Sequence, residues 1–365
     1  MQHSYVEYSD AAQLAKNPLV SVVMLTYNHE RYLAEAVEGV IRQQASFPIE
    51  LLIGEDCSTD GTREVALGYH KRFPEIIRVI TSEQNVGMHQ NAARVIAAAR
   101  GKYIAFCEGD DFWHRPDKLQ RQVEDLEAHP CASMVCSDHR VVSDAGCVLM
   151  EHYYGQLNTL GMRLHYDDLV LGRAGISTLT VCARRTLVQA ASRESLQCRD
   201  HTFLLGDLPL WLELSRSGMV DYLPEPLASY RLSLSSATRS QDPLWSRKFA
   251  MSVCEVRYQF LEKYSLHAGL AETREKQAAL AREILFGAAI IGETMTAKTQ
   301  VRRLKRLPGS LHIQDYFLYV LARLPMARRI GLVVEKNLQG VCRRRIAHSI
   351  RKLTTIRRSL TTADD

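Results

Sequence analysis

The feature that most constrains this chain is an alternation along its first third, where short, nearly unbroken apolar runs give way to stretches of helical period. Leu19 to Leu25, opened by Pro18 in PLVSVVMLTYN, is apolar and rich in β-branched residues, which is the make-up of a strand buried on both faces. Asn28-His29-Glu30 breaks that run. Tyr32 to Gln43 then sets Leu33, Ala36, Val37, Val40 and Ile41 at the three- and four-residue steps of one helix face. The unit repeats. IELLIGED (49–56) reads as a second strand ending in acids, and STDGTREVALGYHKRF follows as a helix opened by cap-like Ser58 and Thr59. Arg78-Val79-Ile80 is a third short strand, 91–99 an Ala-rich helix and 102–107 a fourth strand. Strands and helices alternating over short connections specify an α/β fold, a doubly wound, mostly parallel sheet covered on both faces. Ligands of such sheets lie beyond the carboxyl ends of the strands, and the polar clusters TYN, GEDCSTD and CEGDD all fall there.

Composition sets outer limits. A chain of 365 residues, 46% apolar and 24% charged, suits one large globular domain with an appendage, or two domains. Residues 1–17 read as a loose polar leader with no apolar core of a signal peptide. The longest apolar stretches, such as Ile284 to Ile291, fall short of the ~20 residues that span a bilayer. Nine cysteines without a C-x-x-C pair or zinc spacing suit a reducing compartment, so the expected location is cytoplasmic. After about 240, glycine and strand signals thin out. Helical stretches follow over Phe249 to Tyr264, Thr273 to Ile291 and Asp315 to Leu324, punctuated by Pro243, Pro308-Gly309 and Pro325. The expected division is a leader (1–17), an α/β domain (18–240) and a C-terminal helical region (241–365).

Charge is uneven. Residues 301–365 hold 15 Lys and Arg against 4 Asp and Glu, a surplus of +11 in a chain of net charge +5, so the first 300 residues carry −6. Within VCRRRIAHSIRKLTTIRRS, Ile346, Ile350, Leu353 and Ile356 form one helical stripe with seven Arg and Lys around it. That pattern suits peripheral binding to an anionic membrane at its inner face. It equally suits a helix laid on the body with solvated arginines. Nucleic acid is disfavoured, because no aromatic-interleaved basic motif accompanies the charge.

FCEGDDFW (106–113) crowds Glu108, Asp110 and Asp111 onto a loop directly after the apolar run Tyr103 to Phe106. Carboxylates repel, and three hard oxygen donors at a strand end suit Mg²⁺ or Mn²⁺, an ion that one or two carboxylates hold together with substrate phosphates. The plainer reading is a solvated acidic turn capping a helix that begins near Pro116.

PLVSVVMLTYNHERYLAEAV, GEDCSTDGT, QNVGMHQN, GKYIAFCEGDDFWHRPDKL and GDLPLWLEL, in this order and spacing, resemble the family-2 glycosyltransferases of the GT-A fold, over roughly residues 18–235. The resemblance implies a nucleotide-sugar donor bound with Mg²⁺ or Mn²⁺, and sugar transfer with inversion to a hydroxyl of a glycan or lipid-linked acceptor, as in cell-surface polysaccharide synthesis. Carried over, Thr26, Tyr27 and Asn28 line the nucleotide pocket, and Glu55 or Asp56 accepts a hydrogen bond from a base of uracil or thymine type. Cys57 removes a glycine that the family usually has, and Asp60 is equally a helix cap. Asn85, Gly87 and Asn91 form a third nucleotide-side segment, or only a turn. Glu108-Gly109-Asp110 matches the metal motif, with Asp111 next to it. Glu108 stands for the usual Asp, which ranks Asp110 and Asp111 ahead of it as ligands; Trp113 reads as packing. Asp207 in GDLPLWLEL matches the acid that takes the acceptor proton, while Gly206 replaces the usual acid before it. The plain alternative for Asp207 is an N-cap of the helix Leu208 to Leu214, with Pro209 in its first turn. Tyr230-Arg231 resembles the closing segment, but Ser233 stands where a histidine often lies, leaving Arg231, Ser235 or Ser236 for the diphosphate. Trp211, Ser177 and Thr178, with Tyr153 and His165, are acceptor-side candidates.

Two other functions fit less well. A sugar-1-phosphate nucleotidyltransferase usually carries a Gly-rich basic loop after its first strand, and TYNHER has no glycine. A non-catalytic nucleotide-sugar-binding module has no need of Asp110, Asp111 and Asp207 together. No G-x-G-x-x-G occurs, which disfavours a dinucleotide oxidoreductase.

Overall fold

The computed structural model describes residues 5–155, 163–197, 203–233, 242–267, 269–307 and 312–323. The chain divides into two compact units, Met1–Gln241 with Gln259–Leu266, and Asp242–Tyr258 with His267–Asp365.

In chain order the first unit comprises β1 (Val6–Tyr8), β2 (Val20–Thr26), α1 (Leu33–Ile41), β3 (Ile49–Glu55), α2 (Thr62–Arg72), β4 (Ile77–Thr81), α3 (Met88–Ala98) and β5 (Tyr103–Phe106). Then follow α4 (Lys118–Ala128), β6 (Ala132–Ser143), β7 (Val148–Met150), β8 (Arg163–Leu164), α5 (Tyr166–Val170), a 3-10 turn at Thr178–Thr180, β9 (Cys182–Arg184), α6 (Arg185–Gln197), α7 (Leu208–Ser217) and β10 (Met219–Leu232). Among the described residues the strands form one sheet in the order β1-β4-β3-β2-β5-β9-β6-β10-β8, with β7 on β6. The longest ladders, β2 with β3 and β6 with β10, are parallel, as are β3 with β4 and β2 with β5. Antiparallel pairs are short and lie at the edges and where β9 joins the two parallel sets.

The sequence explains the core. Val20, Val22 and Met24 of β2, Leu51 and Ile53 of β3, and Ile77 and Val79 of β4 are fully buried, with Leu33, Ala36, Val37 and Val40 of α1 packed over them. Burying one such side chain stabilises by about 1.5–3 kcal/mol. At the amino end of the strands, Glu50 is fully buried and takes the Ser21 hydroxyl at 2.6 Å, Arg100 Nε at 2.8 Å and Arg78 at 3.0 Å. Burial alone raises its pKa, and those hydrogen bonds and charges bring it below the ordinary value instead.

Residues 5–17 are not a loose leader. Val6–Tyr8 pairs antiparallel with β4, Glu7 binds Arg78 at 2.9 Å, and Leu14 is buried. Ser58 and Thr59 do not cap α2; Asp60 accepts the Thr62 amide at 3.1 Å there.

The second unit contains most of α8 (Trp245–Lys263), then α9 (Leu270–Ile291), α10 (Thr294–Leu304) and α11 (Ile313–Leu321). Its core is small-residue packing, with Ala278, Ala281, Ala288, Ala289 and Ala297 around Met251, Ile284, Leu285 and Leu304. Helix α10 was not expected from the sequence. The basic stripe Ile346 to Ile356 and its arginines lie outside the described residues.

Candidate active site

The acidic loop is laid down by β5. Beyond Phe106 the chain keeps pairing with β2, Cys107 N–H donating to Val23 O at 3.1 Å and Gly109 N–H to Leu25 O at 2.9 Å. A Cβ at Gly109 would stand 2.7 Å from Thr26 Oγ1 and 3.0 Å from His29 Nδ1, so only glycine lets the loop lie this close to the end of β2. The approach groups Thr26, His29, Glu108 and Asp110, with His29 Nε2 3.9 Å from Asp110. Among the described residues, three buried atoms of this group, Thr26 Oγ1, His29 Nδ1 and Glu108 Oε2, have no hydrogen-bond partner. A buried polar atom left unpaired costs about 1–3 kcal/mol, so these atoms favour a polar or charged partner at the loop.

Electrostatics identify the kind of group. Burial first, then the charges of Asp110 and Asp207, push the Glu108 carboxyl up to about 8, and the Thr178 hydroxyl offsets part of this. A hard divalent cation is the species that two such carboxylates bind best, and Glu108 and Asp110 fit it.

Asp207 lies close enough for its charge to act on Glu108. It is the N-cap of α7, one oxygen accepting the Leu208 amide at 2.8 Å, with Pro209 in the first turn. Its second oxygen accepts the Thr178 hydroxyl at 2.9 Å. The 3-10 turn carrying Thr178 therefore links the capping acid to Glu108. Ser177 Oγ lies 3.0 Å from Tyr154 OH, and Tyr153 and Tyr154 stack edge to face beside them. Trp211 is a correction to the acceptor-side expectation: it is 2% exposed and packs edge-on against Phe106, under the site rather than in it. Trp113 is core, donating to Leu179 O at 3.0 Å.

Asp111 and Arg231 also differ from expectation. Asp111 is buried and turned inward, accepting the Arg231 backbone amide at 2.7 Å. The Arg231 guanidinium donates to Asp110 O at 3.0 Å, to Asp144 O at 2.9 Å and to Glu35, and it lies against the Tyr32 and Phe112 rings. This arginine is 3% exposed and clamps the acidic loop. The geometry leaves Glu108 and Asp110, rather than the inward-turned Asp111, as the pair that could hold an ion, which reverses the order expected between Glu108 and Asp111. Ser235 and Ser236 lie outside the described residues.

On the nucleotide side the structure splits the candidates. Tyr27 is 43% exposed at the end of β2, its ring free to meet a base. Asn28 has φ 57° and accepts from Thr59 N–H at 2.8 Å, tying the β2 and β3 ends together. Asp56 accepts the Val86 and Gly87 amides, each at 2.9 Å, and Asn85 accepts Gly87 N–H at 3.0 Å, so both shape the loop before α3. Glu55 is fully buried and spent on Ser58 N–H, Arg63 and Thr81, which leaves it no role towards a base. Asn91 is likewise buried, bonded to Gly54 O at 2.8 Å and to Arg94. Cys57 keeps a left-handed backbone (φ 59°) without the glycine.

His29 and Tyr154 were missed. The only sequence signal for His29 was its place directly after TYN, and Tyr154 gave none beyond an aromatic pair. A Cβ added at Gly206 would stand 3.2 Å from His89 Nδ1, so α3 already fills the space beside the position where an acid was expected.

Residues 21–174 match the sequence profile described as Glycosyl transferase family 2. TuaG of Bacillus subtilis, a putative teichuronic acid biosynthesis glycosyltransferase, is 33% identical over 217 residues, 59% of this chain and 79% of that one. An uncharacterised protein of Mycobacterium tuberculosis is 34% identical over 213 residues, and the match spans only 58% of that relative's length, as it does of this chain. The crystal structure of S. aureus TarS 1–349 in complex with UDP-GlcNAc superposes with a TM-score of 0.56 at 16% identity, over 88% of this chain and 92% of that one. At that identity the likeness is one of fold.

Proposed function

The chain belongs to the family-2 glycosyltransferases of GT-A type, and on that premise we propose that it transfers a sugar from a UDP- or dTDP-linked donor, with inversion, to a hydroxyl of a glycan or lipid-linked acceptor. One observation carries the reading: Thr178, whose hydroxyl donates to Asp207, also lies against Glu108, and the charge of Asp207 acts on the Glu108 carboxyl. A base close to a cation-binding pair is what an in-line displacement at a sugar carbon requires.

In this proposal the acceptor O–H gives its proton to Asp207 as its oxygen forms the new bond to the anomeric carbon. The bond from that carbon to the diphosphate breaks, and its electron pair leaves with the phosphate oxygen. Thr178 holds the Asp207 carboxylate in place through its hydrogen bond, and the α7 amide it caps fixes the other oxygen. Glu108 and Asp110 would hold Mg²⁺ or Mn²⁺, which neutralises charge gathering on the leaving diphosphate. Tyr27 and the loop shaped by Asp56 receive the base. Cell-surface polysaccharide is the acceptor class that TuaG's description supports, and the UDP-GlcNAc held by TarS supports a uridine donor. Among the described residues no helix is long and apolar enough to cross a membrane. A cytoplasmic site, brought to the inner membrane face by the basic tail, is part of the proposal.

The test is release of nucleotide from a panel of UDP-, dTDP- and GDP-sugars, with Mn²⁺ or Mg²⁺ and again with chelator. Release confined to a pyrimidine donor and abolished by chelation is expected. Equal release with chelator would overturn the metal assignment, and release from the GDP-sugars alone would overturn the donor class.

A further inference from the structure

Asp125 and His129 stand one turn apart at the C-terminal end of α4, and Asp221 stands beside them near the start of β10. His129 Nδ1 lies 3.0 Å from Asp221 Oδ2 and 3.5 Å from Asp125 Oδ1. One ligand atom from each residue falls within 4.8 Å of the others. Asp221 is 4% exposed, and among the described residues its Oδ2, Asp125 Oδ2 and the buried His129 Nδ1 make no well-aligned hydrogen bond, although the three side chains lie within reach of one another. The second oxygen of Asp221 is occupied by Arg163 Nε at 3.1 Å, which leaves Oδ2 facing the cluster.

We propose that these three residues form a divalent transition-metal site, of which Zn²⁺ is the representative ion, separate from the reaction centre. Ligands ~2.1 Å from a tetrahedral Zn²⁺ stand roughly 3.4 Å apart, close to the 3.0 and 3.5 Å that separate His129 Nδ1 from the two carboxylates. One imidazole with two carboxylates is a mixed donor set that favours such ions over Mg²⁺ or Ca²⁺. His129 is 41% exposed, which gives an ion a path in and a water the fourth position. The reaction centre lies elsewhere: Asp221 precedes Arg231 on the same strand by roughly 30 Å of extended chain. An ion here fastens the last turn of α4 to β10, and through Arg163 to β8. The competing arrangement needs no ion: a protonated His129 would itself lie between the two carboxylates.

Zn²⁺ titration of the full chain in saturating Mg²⁺, with bound metal counted by elemental mass spectrometry, separates these cases. One equivalent is expected in the parent and in Glu108→Gln with Asp110→Asn, and none in His129→Gln or Asp221→Asn. The part-exposed His129 makes His129→Gln the variant that keeps the test open should Asp221→Asn not fold. Zn²⁺ at ~100 times its Kd should raise the parent Tm by ~5 °C and leave His129→Gln unmoved. Co²⁺ substitution should give visible absorption of tetrahedral type in the parent only. Tight Zn²⁺ uptake by His129→Gln, or no uptake by any chain, overturns the proposal; the second result assigns the cluster to His129 as its own cation. Neither result bears on glycosyl transfer.

Discussion

Single residues set the shape of the site more than its charge does. Cys57 holds a left-handed backbone that costs an L-residue about 1–2 kcal/mol. Glycine relieves that strain but adds unfolded-state entropy of similar size, so Cys57→Gly should change stability by less than about 1 kcal/mol. Cys57→Val, β-branched, should destabilise by more than ~1 kcal/mol; denaturant unfolding of both measures the difference. Gly109 is the sharper case. Gly109→Ala puts a methyl 2.7 Å from Thr26 Oγ1 and must push the acidic loop away. Turnover should fall at least ~100-fold with the fold retained, since displacements near 1 Å cost about that much. Wild-type turnover in this variant would show that the close approach is dispensable. The acids themselves were legible, because three carboxylates after a buried run are hard to explain otherwise. Their ranking was not: that Asp111 turns inward depends on Arg231, which is 120 residues away in sequence. Glu55 and Asn91 misled for a related reason. Polar residues at a strand end look alike in sequence whether they face a ligand or their own neighbours.

At the scale of elements, β2 to β5 were readable and β6 and β10 were not. Strands buried on both faces announce themselves as apolar runs. In contrast, β6 carries Ser137, Asp138 and His139, all fully or almost fully buried, in the middle of its span. β10 contains Pro224 and Pro226, and its pairing with β6 shifts register around Pro226, which in sequence argues against a strand. β1 escaped notice because its three residues owe their order to Arg78 and β4. The buried polar stretch of β6 makes stability depend on pH. Burial holds the His139 imidazole down to about 4, only partly opposed by Asp138. The folded state refuses a proton that the unfolded chain binds near pH 6.5. Its contribution is therefore complete above that pH and is lost as pH falls towards 4. Unfolding free energy should drop by as much as ~3 kcal/mol over this range from this residue. His139→Gln should flatten the urea-unfolding profile between pH 7 and 4.5, and an unchanged slope would exclude His139 as its source.

The whole molecule comprises an α/β unit that carries the proposed site and a helical unit followed by a strongly basic stretch of sequence. The division near residue 241 falls where strand signals give out in sequence, though Gln259–Leu266 is counted with the first unit. No periodicity marks that return. The tail supplies a prediction at this scale. The surplus of +11 over residues 301–365 should bind vesicles containing anionic lipid, and a chain ending near 340 should sediment with them far less. Equal sedimentation would remove the tail from the account. The proposed chemistry draws on two segments that chain position keeps apart, the loop after β5 and the N-terminus of α7, which meet at Thr178. The direct measurement is turnover by Asp207→Asn, which keeps an oxygen to cap α7 but removes the base. Turnover should fall by ~10²–10⁴ while nucleotide-sugar affinity stays unchanged. Turnover within about threefold of the parent would contradict the assignment of Asp207 as the group that takes the acceptor's proton.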